Sequence, residues 1–418
     1  MTTAEQTWTT PRLRADVVLG PAQWRDGKLV HHLLDRTTGW FYRVGPREHF
    51  LLSRMDGTRS LADLETEYAE AYQRRLGPAS WQQLFGMLHQ RQLLDGATDT
   101  EALARLTATA AENAARARRG PLSARLPLFG PERLFDRVLP WLRPVFSWWF
   151  VLPALALVLV IAGYVGTHVT ELAAVLDSGG RGLVGLAVSM AITWVVVFLH
   201  ECAHGLTCRY FGGRVPEIGV MWRFPLLAPY CKVDDLVLFT RRQRVAVAFA
   251  GIFVSMLALT PAAVLWYAGP RTGVVHATAG SVLLFGTATA AMNLVPVLRL
   301  DGYHMLGHAL NLVDLRGDTY RFWGRLLRGG PAAVRYGRRR DRVTYASYGL
   351  LSAAFLATVL VLLVHYWYVT LARWVGGGWS VAILVAEALL IVGLLGVVAR
   401  RRSGQRVDAP STAAGGDT

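Results

Sequence analysis

Lysine is almost missing from this chain. Lys28 and Lys232 are the only two, so the formal charge of +15 over 418 residues is carried by arginine. Cysteine is scarce too. Cys202, Cys208 and Cys231 contain no CxxC pair, and an odd number argues against a disulfide framework. Met1–Thr10 is polar and lacks a basic stretch followed by an apolar one. No signal peptide is predicted, and the N-terminal region is expected in the cytoplasm. Charged residues are few, 17% against 53% hydrophobic, and several apolar runs approach the roughly 20 residues that span a bilayer. Together these argue for an integral membrane protein of two or three domains.

A basic balance can serve nucleic acid or obey the positive-inside rule. Here the arginines stand beside apolar runs, at Arg116–Arg119, Arg241–Arg244, Arg338–Arg342 and Arg400–Arg402. The lipid bilayer is therefore the expected partner. Nucleic acid is not, because the helix predicted over 60–72 carries Asp63, Glu65, Glu67 and Glu70. Six spans are predicted, at about 146–166, 182–207, 245–268, 279–299, 345–368 and 378–399. An even number puts both termini on one side, and the arginine-rich loops make that side the cytoplasm. No internal repeat is evident, and the residues set no oligomeric state.

Residues 11–96 read as a soluble module. Leu29–Asp35 and Trp40–Val44, joined by Arg36-Thr37-Thr38-Gly39, predict a β-hairpin. Helices are predicted over 47–55, over 60–72 with Ser60 as N-cap and Asp63 in its first turn, and over 81–94, with Gly96 as the stop. Thr98–Arg118 reads as a helical spacer. Pro121–Pro144 mixes arginines with leucines and aromatics, as a segment at the headgroup surface does.

The sharpest signal is His200-Glu201-Cys202-Ala203-His204 inside an apolar span. Histidines four apart share one helix face and can chelate one metal, and the glutamate beside them can act as general base. Charged groups at membrane depth are costly and usually mark function. The other reading is a hydrogen-bonded structural pair, which leaves Glu201 without a reason. A second polar stretch, Asn293 to Gly302, includes Pro296 and Asp301. Spans two and four run parallel. Gly182 to His200 covers about 27 Å and Gly280 to Asp301 about 31 Å of helix, so Asp301 can meet the histidines, or it can cap the helix that follows. His304 and His308 are also four apart, but no acidic residue stands between them and they read as packing residues. Cys208 reads as a small core residue.

His200-Glu201-x-x-His204 followed by Asn293-x-x-Pro296-x-x-x-x-Asp301-Gly302 resembles the site-2 protease family of intramembrane zinc metalloproteases, over roughly residues 120–345. Phe211-Gly212-Gly213 and Arg244–Gly251 are similar to its bacterial peptide zinc metalloprotease branch. The resemblance implies Zn2+ held by His200, His204 and Asp301, with Glu201 as base. It also implies that Asn293 steadies the substrate backbone or oxyanion. The polar stretch 214–240, with strand-like Val215–Arg223 and Tyr230–Phe239, would form a hairpin that pairs with unwound substrate. In the N-terminal module, Leu34-Asp35, Gly39–Val44, Met55–Ser60 and Gln92-Leu93-Leu94 resemble the PqqD-like winged-helix fold of peptide-modifying enzymes. That implies a leader peptide docking as an added strand.

The expected fold is thus a polytopic α-helical membrane protein with an N-terminal α+β winged-helix domain. Its expected parts are a leader-recognition domain at 1–96, a linker and juxtamembrane segment at 97–144, a metalloprotease domain at 145–400 and a disordered cytoplasmic tail at 401–418. The expected activity is removal of the leader from a ribosomally made precursor during natural-product maturation, daptide-type clusters included, at the inner membrane. An exporter or other maturation enzymes are candidate partners. The rival expectations are a regulatory protease cutting an anti-sigma factor or signal-peptide remnant, and a non-proteolytic transporter or immunity protein.

Overall fold

The computed structural model describes residues 9–118, 123–177, 182–223, 226–334 and 338–390, together with Gly393. The predicted tail, Arg119, Pro225, Arg400–Arg402 and nearly all of 391–399 lie outside the described residues. The chain divides into two compact units, residues 1–345 and 346–418.

The first unit begins with a four-stranded sheet: β1 (Val17–Leu19), β2 (Gln23–Arg25), β3 (Lys28–Asp35) and β4 (Trp40–Val44). The long β3 pairs antiparallel with each of the other three. The β3–β4 hairpin has the expected register, from His31 opposite Val44 to Asp35 opposite Trp40. Asp35 ties its turn by accepting from Thr38 Oγ1 at 2.7 Å and from the Thr37 amide at 3.1 Å. Gly39 supplies the positive φ of +71° that the tight reversal needs. The short strands β1 and β2 were not foreseen.

Three helices follow: α1 (Pro46–Leu52), α2 (Leu61–Tyr72) and α3 (Pro78–Gln90). Ser60 and Asp63 form a reciprocal capping box on α2. The third helix starts at Pro78 and ends at Gln90, earlier at both ends than expected, because Pro78 suits a first helical position and Gln92 turns to a positive φ. Leu33, Leu64, Leu88 and Leu93, all fully buried, join sheet to helices in one core. Each contributes about 1.5–3 kcal/mol by leaving water. Then comes α4 (Thr100–Arg118), a helix as expected.

Residues 123–129, expected at the membrane surface with the rest of Pro121–Pro144, instead form strand β5 (Ser123–Phe129). It pairs with β6 (Glu217–Arg223), which pairs with β7 (Leu226–Lys232). The expected strand over 230–239 stops at Lys232, and Asp235–Leu238 is a 3-10 turn. After β5 come α5 (Glu132–Leu142), α6 (Trp148–Thr167), α7 (Val169–Asp177) and α8 (Gly182–Tyr210). After β7 come α9 (Arg241–Leu257), α10 (Thr260–Ala268), α11 (Gly273–Leu294), α12 (Asp301–Leu310) and α13 (Leu315–Gly329). The last are α14 (Arg339–Val375) and, in the second unit, α15 (Gly377–Leu390).

Among the described residues five helices are long and apolar enough to cross a membrane: α6, α8, α9 continued through α10, α11 and α14. The described part of the sixth predicted span, α15, is shorter than a crossing needs. The fourth span is shifted from 279–299 to 273–294. Val295 is extended ahead of Pro296 (φ −68°, ψ 113°), because proline disfavours helical backbone in the residue before it. The helical distance from Gly280 to Asp301 therefore does not exist. The chain leaves α11 at Leu294 and re-enters a helix at Asp301.

Candidate metal centre

Helix α8 brings His200 and His204 to its inner face. Asp301, the first residue of α12, meets them after the break at Pro296. Asp301 Oδ2 lies 2.8 Å from His200 Nε2 and 3.4 Å from His204 Nε2, and the two Nε2 atoms are 3.1 Å apart. Among the described residues, these are the three side chains that could hold an ion, each offering one ligand atom within 4.8 Å of the others. Asp301 Oδ2 is buried against the two imidazole nitrogens. The three atoms thus converge within a few ångströms of one another in a buried spot, an arrangement that fits a metal donor set. Burial opposes ionisation of Asp301, yet the nearby imidazoles outweigh it and hold the carboxyl below the usual carboxylate range.

The far side of each imidazole is held by α9. His204 Nδ1 donates to the Val247 carbonyl at 2.7 Å, which leaves Nε2 as a lone pair in the neutral ring. His200 Nδ1 bonds Ser255 Oγ at 2.9 Å. Between them, at the same helical spacing of four, stands Gly251. A Cβ there would press into His204 Nε2 and stand 2.6 Å from His200 Nε2. Sequence reasoning had noted Gly251 without a role and missed Ser255 and the Val247 carbonyl. The available signal was a small residue and a hydroxyl four apart on one face of an apolar helix.

Glu201 points to the other side. Its Oε2 accepts from the Cys231 amide of β7 at 2.9 Å. That bond also sets the orientation of β7. Antiparallel strands alternate the side to which each residue turns its peptide groups, so Leu227, Pro229 and Cys231 face away from β6. Pro229 has no N–H to contribute to the ladder, and it falls at a position where none is needed. Among the described residues this edge of β7 carries no paired strand.

The edge opens on a cavity of about 720 Å3 bounded by α8, α11 and β7. His200, Glu201 and Asp301 line it, and so does Asn293. His304 reaches its wall, but His304 and His308 do not join the ligand group. Their ring centroids are 6.3 Å apart. Burial lowers the pKa of both, and that of His308 falls to about 3 with help from Arg244. Cys208 is buried, with Sγ 3.9 Å from the Arg214 carbonyl, a core residue as expected. Burial pushes the Cys231 thiol up, so it stays protonated and is a poor ligand.

The chain is 24% identical over 128 residues to a Bacillus subtilis (strain 168) protein described as "Putative peptide zinc metalloprotease protein YydH". The match covers 30% of this chain and 49% of the relative, so the chain spans about half the length of the curated relative it matches. No family model matches the chain, and no solved structure matches it.

Proposed function

We propose that the chain is an intramembrane zinc endopeptidase of the site-2 protease kind that cuts a ribosomally made precursor peptide. The observation that carries this reading is the convergence of His200, His204 and Asp301, with Glu201 beside them, at a cavity edged by a free strand. The description of the Bacillus subtilis relative as a peptide zinc metalloprotease supports a peptide substrate and zinc. His200 Nε2, His204 Nε2 and Asp301 Oδ2 would hold the ion. When bound, zinc supplies a Lewis acid that polarises the scissile carbonyl and lowers the pKa of water.

The chain's own residues do the rest. Glu201 takes a proton from the attacking water and returns it to the leaving amine. The Cys231 amide fixes the position of its carboxylate. The outward peptide groups of Leu227 and Pro229 receive the substrate as an added strand, because a helix hides the bonds that must be cut. The Asn293 amide steadies the substrate carbonyl from the cavity wall. Gly251 leaves the imidazoles the room they need to hold an ion.

Residues 1–96 serve as a PqqD-like leader-binding domain. Among the described residues β4 pairs only with β3, so its other edge is available to a leader strand. Residues 97–122 link this domain to the membrane metalloprotease part, to which β5 already belongs through its pairing with β6. The arginine-rich loops support an inner-membrane protein with its N-terminal region in the cytoplasm, and the C-terminus joins it there if the chain beyond α15 completes a sixth span. The reaction is then leader removal in natural-product maturation, with an exporter or other maturation enzymes as partners.

The test is to incubate the full chain in proteoliposomes with synthetic precursor peptides and read the products by mass. Glu201→Gln should lower the rate by about 10²–10⁴-fold while zinc is retained. A leader-bearing peptide should be cut faster than its leaderless form. Near wild-type cleavage by Glu201→Gln contradicts the base assignment, and equal rates for the two peptides contradict the leader role.

A further inference from the structure

Two elements that build the metal centre are gripped from outside by the N-terminal sheet. The first is α12, which starts at Asp301 and ends roughly 15 Å away at its cap, Asn311. Asn311 adopts a left-handed conformation (φ +60°). Its carbonyl accepts from the Trp24 amide at 2.9 Å, and the Val313 amide returns a bond to the Trp24 carbonyl at 2.9 Å. The Asn311 side chain is used at both ends. Its Nδ2 donates to the Ala22 carbonyl at 2.9 Å, and its Oδ1 accepts from Arg244 Nη2 at 2.6 Å.

Arg244 belongs to α9, one turn before Val247, whose carbonyl holds His204. Its side chain is buried, 2% exposed, and its Nε has no hydrogen-bond partner. A buried guanidinium is costly unless its contacts require it. Here the Asn311 amide joins it to α12 and to the sheet at once.

Further contacts fix the same approach. Asp26, just after β2, takes Arg325 at 2.5 Å and donates its amide to the buried Asp318 at 2.9 Å, both on α13. At the β3–β4 turn, Arg36 meets Asp235 at 3.0 Å in the turn that leads into α9. At the other end of α12, Gly302 is seated against the carbonyls of Asn293 and Leu294, where a Cβ would not fit.

We infer that Asn311 is a positioning residue for Asp301, clamped between Arg244 on α9 and Ala22–Trp24 at β2, so that the N-terminal sheet is a structural part of the metal centre. This rests on His200, His204 and Asp301 holding the ion. Ligand orientation by surrounding partners is commonly worth 10- to 100-fold in metal affinity.

The test is the zinc Kd of the full chain in detergent, by chelator competition, beside the melting temperature of the metal-free protein. Asn311→Gly keeps the left-handed cap and removes the amide. Its Kd should rise about tenfold, beside the fall in apo Tm expected from leaving Arg244 without that partner. If that variant does not fold, Asp26→Asn tolerates its own positive φ of 48°, removes the charge on the clamp, and should raise the Kd in the same direction. An unchanged Kd with a lowered Tm means the clamp is only structural and overturns the inference. If Asp301→Ala binds zinc as tightly as wild type, the metal-site reading itself fails, and the inference with it.

Discussion

Leu33 and Leu88 in the N-terminal region are fully buried, whereas Leu183 and Val184 at the start of α8 are 86% and 72% exposed. The inner face of α8 holds Ser189, His200 and Thr207 among smaller apolar residues such as Val196 and Ala203. The first region hides its apolar side chains from water. The second turns them outward and hides its polar ones. An outward apolar surface of that kind suits a helix that could cross a membrane. An inward polar group in such a helix needs a partner, and His200 and His204 have theirs in Ser255, Val247 and Asp301. The contrast is one of burial: apolar side chains inside in the first region, a polar cluster inside in the second.

Gly251→Ala should disturb that division most. The added methyl would occupy the space of both Nε2 atoms, so zinc affinity should fall more than about 100-fold, beyond the usual range for orienting partners. Chelator competition measures it, and circular dichroism should show the helices intact. Wild-type affinity would mean the ion is not held at the two Nε2 atoms that Gly251 faces.

A pair of leucines sharpens the same contrast. Leu33→Ala removes a fully buried side chain and should cost about 2–5 kcal/mol in denaturant unfolding. Leu183→Ala, in a bilayer mimetic, should cost less than about 0.5 kcal/mol. Equal costs would mean that α8 buries Leu183 against protein.

How far the residues announced this structure differs between the regions. The β3–β4 hairpin and the α2 cap were legible because Gly39, Ser60 and Asp63 act within a few residues of themselves. His200, Glu201, His204 and Asp301 were legible because polar groups in apolar runs are conspicuous. Strand β5 was not, since its partner β6 lies some ninety residues on and its own pattern, with Pro127 inside, reads as surface. Ser255 and Gly251 were not, because a small residue in an apolar helix is ordinarily packing. The end of α11 at Leu294 moved the depth arithmetic, although Pro296 had marked the place. Sequence placed Asp301 near the histidines through a helix that stops seven residues earlier. The loop and α12 deliver it there by another route.

A smaller effect separates histidines of the two regions by pH. His32, in the N-terminal sheet, is held neutral with a pKa lowered to about 4, chiefly by burial and then by Arg43, Arg244 and Arg25. In the unfolded chain a histidine titrates near 6.5. Between these values the unfolded state binds a proton that the folded state does not. The stability is therefore present above about pH 6.5 and is lost as pH falls toward 4. Urea midpoints of the metal-free protein at pH 7 and pH 5 should differ by on the order of 1 kcal/mol from this group. His32→Gln should flatten that difference, and an unchanged difference would assign it to other groups.

Helix α8 and the start of α12 together make one candidate metal site. The direct measurement is zinc content of purified protein after dialysis, for wild type, Glu201→Gln and Asp301→Ala. Wild type and Glu201→Gln should each retain one zinc per chain, and Asp301→Ala should retain almost none. Full occupancy in Asp301→Ala, or none in wild type, would contradict the account.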